Sequence, residues 1–161
     1  MAKIQTKFIV PIRFEQDVVG RPPHAHTDPN PGITGTLKLL FDEGLTSAKY
    51  RLYIFNEKSE EDTPKDELIS MAHLHAAPTG DIGELIVVIL ESNPPVYVNG
   101  LLKKGTITNS NIRSIKTREG YRFNTVSTLY NAIREGNLYV DIHGTGKYLA
   151  GMLRGQIFTA L

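Results

Sequence analysis

The chain contains no cysteine, and that one absence excludes disulfides, cysteine-ligated zinc and thiol catalysis together. It fits a reducing compartment without requiring one. Neither sign of charge dominates. Lysine and arginine number 18, aspartate and glutamate 17, and the formal net charge is +1. No global field therefore draws in nucleic acid or an anionic membrane, and neither is expected as a partner. No run approaches the roughly 18 apolar residues of a membrane-crossing helix. The segment from Met1 to Lys7 lacks the continuous apolar stretch of a signal peptide. The expectation is synthesis in the cytoplasm with no ordinary export address, compatible with incorporation into a surface or coat assembly. Also missing are a Ser/His/Asp order, a phosphate-cradling glycine loop, a dinucleotide fingerprint and a paired-carboxylate motif. No catalytic or organic-cofactor residue is singled out.

What is present is alternation. The chain has 161 residues, 40% of them hydrophobic, enough for a core without staples, and a single domain over 1–161 is expected. Ile4, Thr6, Phe8, Val10, Ile12 and Phe14 alternate with Gln5, Lys7 and Arg13, the mark of a half-buried strand. Pro11 lacks an N–H donor and places that strand at a sheet edge or beside a bulge. A Pro- and Gly-rich loop from Gly20 to Gly35 follows. Next come a strand around Leu37 and Leu39, a turn at Asp42-Glu43-Gly44, and a strand around Leu52 and Ile54. The polar stretch from Glu57 to Glu67 reads as an exposed acidic loop.

Strands are then predicted over 68–76, over the apolar run Leu85 to Leu90 (as a well-covered central strand), and in shorter form over 101–108. One helix is predicted, about Thr125 to Glu135, because Val126, Leu129, Tyr130 and Ile133 share a face. Strands over 138–143 and about 148–158 close the chain, the last interrupted by Gly151 and Gly155. The fold class is mainly β: an antiparallel sandwich or barrel with one short helix.

The five histidines fall in three places: His24 and His26, His73 and His75, and His143. On a strand, positions i and i+2 face the same way, so His73 and His75 stand side by side, opposite the apolar set Leu68, Ala72, Leu74 and Ala76. In 138–143, Val140 and Ile142 take the core face and leave His143 with Tyr139 and Asp141. If these strands are neighbours, three imidazoles converge on the outer side of a sheet. Imidazole suits zinc and copper, and three histidines with an open position suit a catalytic zinc or a copper site. The alternative is that the histidines hydrogen-bond to backbone or to Asp141 and fix loop geometry. His24 and His26 read as incidental surface histidines. Arg154 and Gln156 alternate out of the last strand, where an arginine usually makes a surface ion pair.

The order of motifs resembles the CHRD domain, first noted in chordin. The matching pieces are Arg21-Pro22-Pro23 with Gly35-Thr36-Leu37, Ala72-His73-Leu74-His75 with the Pro78–Gly83 turn, and Gly105-Thr106-Ile107-Thr108. Later come Ala132-Ile133-Arg134-Glu135-Gly136, Leu138-Tyr139-Val140-Asp141-Ile142-His143, and Gly151-Met152-Leu153-Arg154-Gly155-Gln156-Ile157. Met152 stands where the family's usual ending carries a glutamate, and 116–124 resembles an insertion. The resemblance implies a Greek-key β-sandwich similar in layout to copper/zinc superoxide dismutase, whose family also carries a His-x-His pair on one strand. It implies no reaction.

Two functional expectations follow. The first is a non-enzymatic binding or structural module making protein–protein contacts, as a homo-oligomer or with another protein, with the first strand as a candidate contact edge. The second is a metalloprotein, redox or hydrolytic, holding zinc or copper on His73, His75 and His143.

Overall fold

Alternation in the sequence becomes strands almost everywhere it occurs. The computed structural model describes residues 4–118 and 120–159. In chain order the strands are β1 (Lys7–Ile12), β2 (Val18–Val19), β3 (His24–Ala25), β4 (Ile33–Phe41), β5 (Ala48–Asn56), β6 (Ile69–Ala76), β7 (Glu84–Val96), β8 (Gly100–Ile107), β9 (Ile115–Lys116) and β10 (Arg122–Phe123). The helix α1 (Val126–Arg134), β11 (Tyr139–His143) and β12 (Leu153–Gln156) complete the chain.

Two four-stranded antiparallel sheets form the sandwich, in the orders β1-β4-β5-β8 and β12-β11-β6-β7. The β4–β5 hairpin belongs to the first sheet and β6–β7 to the second. The chain then returns with β8 to lie beside β5, and β11 comes back beside β6. This Greek-key crossing brings residues far apart in sequence into register. Phe8, Val10, Leu37, Leu39, Leu52 and Ile54 meet Ala72, Leu74, Val140, Ile142 and Leu153 in one buried cluster.

The helix buries Val126, Leu129, Tyr130 and Ile133, the face predicted for it. Its start is capped by the Thr125 side chain, which accepts from the Thr128 N–H and satisfies one of the free donors of the first turn.

β1 is an edge strand of its sheet, as Pro11 requires. Its far end is tied to the other sheet by reciprocal backbone hydrogen bonds between Arg13 and Arg154. At that crossing a Cβ on Gly155 would lie 2.6 Å from the Pro11 carbonyl, so the close approach admits only glycine.

Three details differ from the sequence reading. β7 lies at a sheet edge, not in the centre. Its apolar run has Val88 exposed, and the Arg113 N–H bonds its Ile86 carbonyl along the open side. The region 148–158 forms a turn of 3-10 helix (Gly146–Tyr148) and then only the four residues of β12. The segment 116–124 contributes to the β9–β10 ladder, with Glu119 outside the described residues.

Candidate metal centre

β6 and β11 are neighbours, and their register sets Asp141 opposite His73, Tyr139 opposite His75 and His143 opposite Met71. Ala72, Leu74 and Ala76 fill the core side of β6, and Val140 and Ile142 that of β11. The pleat therefore turns His73, His75, Tyr139, Asp141 and His143 to the other face of the sheet. His73, His75, Asp141 and His143 each bring one ligand atom to a group in which all four lie within 4.8 Å of one another. The structure thus brings the three sequence-predicted histidines together and adds Asp141.

The outer rings are anchored from behind. His75 donates from Nδ1 to the Gly83 carbonyl at 3.0 Å, and His143 from Nδ1 to the Leu149 carbonyl at 2.8 Å. A carbonyl oxygen only accepts, so Nδ1 carries the hydrogen in both rings. In the neutral imidazole, Nε2 then carries a lone pair turned inward. His75 Nε2 lies 3.3 Å from Asp141 Oδ1, and His143 Nε2 2.9 Å from Oδ2. Even so, Nε2 of His73, His75 and His143 and Oδ1 of Asp141 are all buried with no aligned hydrogen-bond partner. Buried polar atoms are rarely left so. Here converging acceptors face a common point, where a proton, a water or a cation would satisfy them.

Electrostatics agree with that picture. Burial alone would raise the Asp141 carboxyl, but the His143 and His75 imidazoles outweigh it and hold Asp141 well below the usual carboxylate range. Burial would lower His143, yet the Asp141 carboxylate and the Leu149 carbonyl reverse this and leave it raised. His73 is lowered, chiefly by burial, against the pull of Asp141. The His75 side chain is 14% exposed, against 7% for His73 and 9% for His143, so its ring is the least enclosed of the three. The exposed Glu91 reaches to 3.6 Å from His73 Nε2 at the rim.

A column of stacked groups backs His75. Its ring lies parallel to that of Tyr139, at 9° and 5.3 Å, and the Arg154 guanidinium sits 3.5 Å from the Tyr139 ring centre. Arg154 donates to the carbonyls of Asp81 and Pro78 and to the Gln156 side chain, so it pins the 77–83 turn over the sheet. In that turn a Cβ on Gly83 would fall 1.7 Å from the Ala76 carbonyl. Only glycine lets the chain double back closely enough to offer its carbonyl to His75.

Arg154 is therefore no surface ion-pair residue. It is 2% exposed, because loops cover the outer face of this sheet. His26 is likewise no incidental surface residue. Its ring stacks on Phe14 at 4.9 Å, and its Nε2 pairs with Asp17 Oδ2 at 2.6 Å, both side chains nearly enclosed. Burial raises the Asp17 carboxyl, against the lowering effect of His26. His24 is exposed, as expected. Met152 is fully buried; the carboxylates near the histidines are those of Asp141 and, at the rim, Glu91, while Asp17 pairs with His26. A carboxylate beside His75 and His143 was legible as Asp141's place on the histidine face of β11; nothing in the sequence pointed to Asp17.

Fold and site together define a Greek-key β-sandwich carrying a three-histidine, one-aspartate cluster on the outer face of one sheet. A family model of the CHRD domain matches residues 15–157, and the chain belongs to the CHRD domain family. Among curated proteins and solved structures, none matches. All four cluster residues lie inside the matched span, whereas β1 precedes it.

Proposed function

We propose that this CHRD-domain protein binds one divalent transition-metal ion, zinc or copper, through His73, His75, His143 and Asp141. The observation that carries the reading is the convergence of one ligand atom from each of the four residues within 4.8 Å, with Nε2 of all three histidines buried and without an aligned hydrogen-bond partner. Three imidazole nitrogens and a carboxylate oxygen form a donor set these metals favour. A tetrahedral zinc with bonds of about 2.0–2.1 Å holds its ligands about 3.4 Å apart. His75 Nε2, at 3.3 Å from Asp141 Oδ1, is already at that spacing, and the group as a whole, within 4.8 Å, must tighten to close on one ion. The Nδ1 hydrogen bonds of His75 and His143 are the outer-shell contacts that orient metal-binding imidazoles. With four protein donors available, the centre favours a structural role, in which metal braces β6 against β11.

The test is titration of chelator-stripped protein with zinc chloride and, separately, copper sulfate, read by calorimetry and by metal content after desalting. One equivalent should bind the wild-type chain, and His75→Ala and His143→Ala should lose it while still giving the sheet-rich circular dichroism of the parent. Ion in excess of the dissociation constant by about 100-fold should add about 2.7 kcal/mol of stability. A melting curve and an isotherm indifferent to both metals would return the histidines to a purely structural role.

A further inference from the structure

The outward face of the β1-β4-β5-β8 sheet carries a charge pattern unlike the rest of the molecule. Lys38, Arg51 and Lys104 occupy directly paired positions on three adjacent strands. One row away, Lys7 pairs with Leu40 and Leu40 with Lys49. All five cations are exposed, and among the described residues no carboxylate pairs with any of them. Like charges directly opposite one another across a sheet destabilise it, so the isolated face is under electrostatic load. The exposed side chain of Leu40 lies between Lys7 and Lys49, and that of Ile9 beside Lys38. The face forms a shallow hollow of about 520 Å³, lined among others by Lys38, Tyr50, Arg51 and Lys104.

The complementary charge is on the same chain. Directly after β5, the loop 57–67 exposes Glu60, Glu61 and Asp62, none with a cationic partner among the described residues. The loop is held rigidly. Lys58 donates to the Pro31 carbonyl and pairs with Glu67, Asn56 donates to Thr63, and Tyr97 donates to the Lys58 carbonyl. These bonds fix both ends of the loop beyond β5 and leave its acidic tip exposed. It is free to meet the face of another copy.

We infer that the basic outer face of the β1-β4-β5-β8 sheet docks the acidic loop 57–62 of a second copy of this chain. The chain is near neutral overall, at +1, yet carries a basic face and an acidic loop apart from one another, which favours self-recognition over capture of a polyanion. A long anionic polymer laid along the strands would meet the repelling loop at the end of β5. The contact joins two different surfaces, so it closes as a reciprocal two-fold dimer or, where only one face–loop contact forms per pair, propagates into a ring or an open chain. The inference is independent of the metal centre, which lies on the other sheet.

The experiment is sedimentation velocity on the intact chain at millimolar concentration. It compares about 0.01 M salt, where charges act over about 30 Å, with about 1 M, where they act over about 3 Å. Higher-mass species should form at low salt and dissociate at high salt. A face variant, K38E/R51E, and a loop variant, E60K/E61K/D62K, should each be monomeric alone. Mixing the two should restore association, a rescue that misfolding cannot produce. A wild-type chain monomeric at low salt overturns the proposal. So does association that K38E/R51E leaves intact, or a mixture that stays monomeric. Retention of a single-stranded oligonucleotide or of anionic vesicles by a monomeric chain would also overturn it, and would assign the face to that ligand instead.

Discussion

His75 and Tyr139 lie directly opposite one another across β6 and β11, their rings parallel to within 9° at 5.3 Å. The pairing places an aromatic plane behind a candidate metal ligand and, through Arg154 on its other face, ties that ligand to the turn that caps the site. Tyr139 also accepts a hydrogen bond from the Gly83 N–H through its hydroxyl. Burial pushes its phenol up to about 12, so it stays neutral across the physiological range.

Replacing Tyr139 with alanine should lower zinc affinity by about 10–100-fold, the usual effect of removing an outer-shell support. Tyr139→Phe keeps the ring and should retain most of the affinity. Competition with a chromophoric chelator measures both. Equal affinity for wild type and Tyr139→Ala would mean that the stack does not orient His75.

The pH dependence of the metal-free protein follows from two opposed shifts. His143 is raised above 6.5 in the folded state, so its contribution is fully present below 6.5 and is lost as pH rises through the raised value. His73 is lowered, so its contribution is present above 6.5 and is lost as pH falls through the lowered value. Metal-free stability should therefore peak near the ordinary histidine pKa and decline on both sides. Zinc needs unprotonated imidazoles, so the stability gained on adding zinc should grow with pH across the same range. Denaturant melts with and without zinc between pH 5 and 8 read both trends. A zinc-induced gain that is flat across this range would count against imidazole ligation.

Gly83→Ala tests the turn. With the Ala76 carbonyl 1.7 Å from the new Cβ, the backbone must shift, and the carbonyl that receives His75 moves with it. The expected loss is about 2 kcal/mol or more, within the range for strain at a special backbone position, together with weakened zinc binding. Chemical denaturation and metal titration of the same sample report the two effects.

Leu74 sits between the two histidines of β6 but on the core side, fully buried. Leu74→Ala should lose about 2–5 kcal/mol through the cavity it leaves. Saturating zinc should recover part of that loss, because ligand binding to the folded state adds to stability. Guanidinium melts with and without zinc measure the difference.

The face each side chain would take was largely legible in the sequence, because a period of two is a local property. His73 and His75 were assigned to one side of β6, and His143 with Asp141 to one side of β11. The adjacency of those strands was not, since it depends on a crossing that joins residue 73 to residue 141. Alternation also says nothing about what covers a face. Arg154 and His26 were expected at the surface, yet the 77–83 turn and the segment around Asp17 enclose them. The apolar run of β7 suggested a central strand, although its position is decided by which strands pair and leaves Val88 in solvent.

The most direct test of the metal proposal is anomalous diffraction at the zinc edge from crystals of chelator-stripped protein reloaded with zinc. One strong peak is expected over the outer face of β6 and β11, bonded to Nε2 of His73, His75 and His143 and to an oxygen of Asp141, with bonds of about 2.0–2.2 Å. A map with no peak there, or with zinc held only elsewhere on the surface, would contradict it.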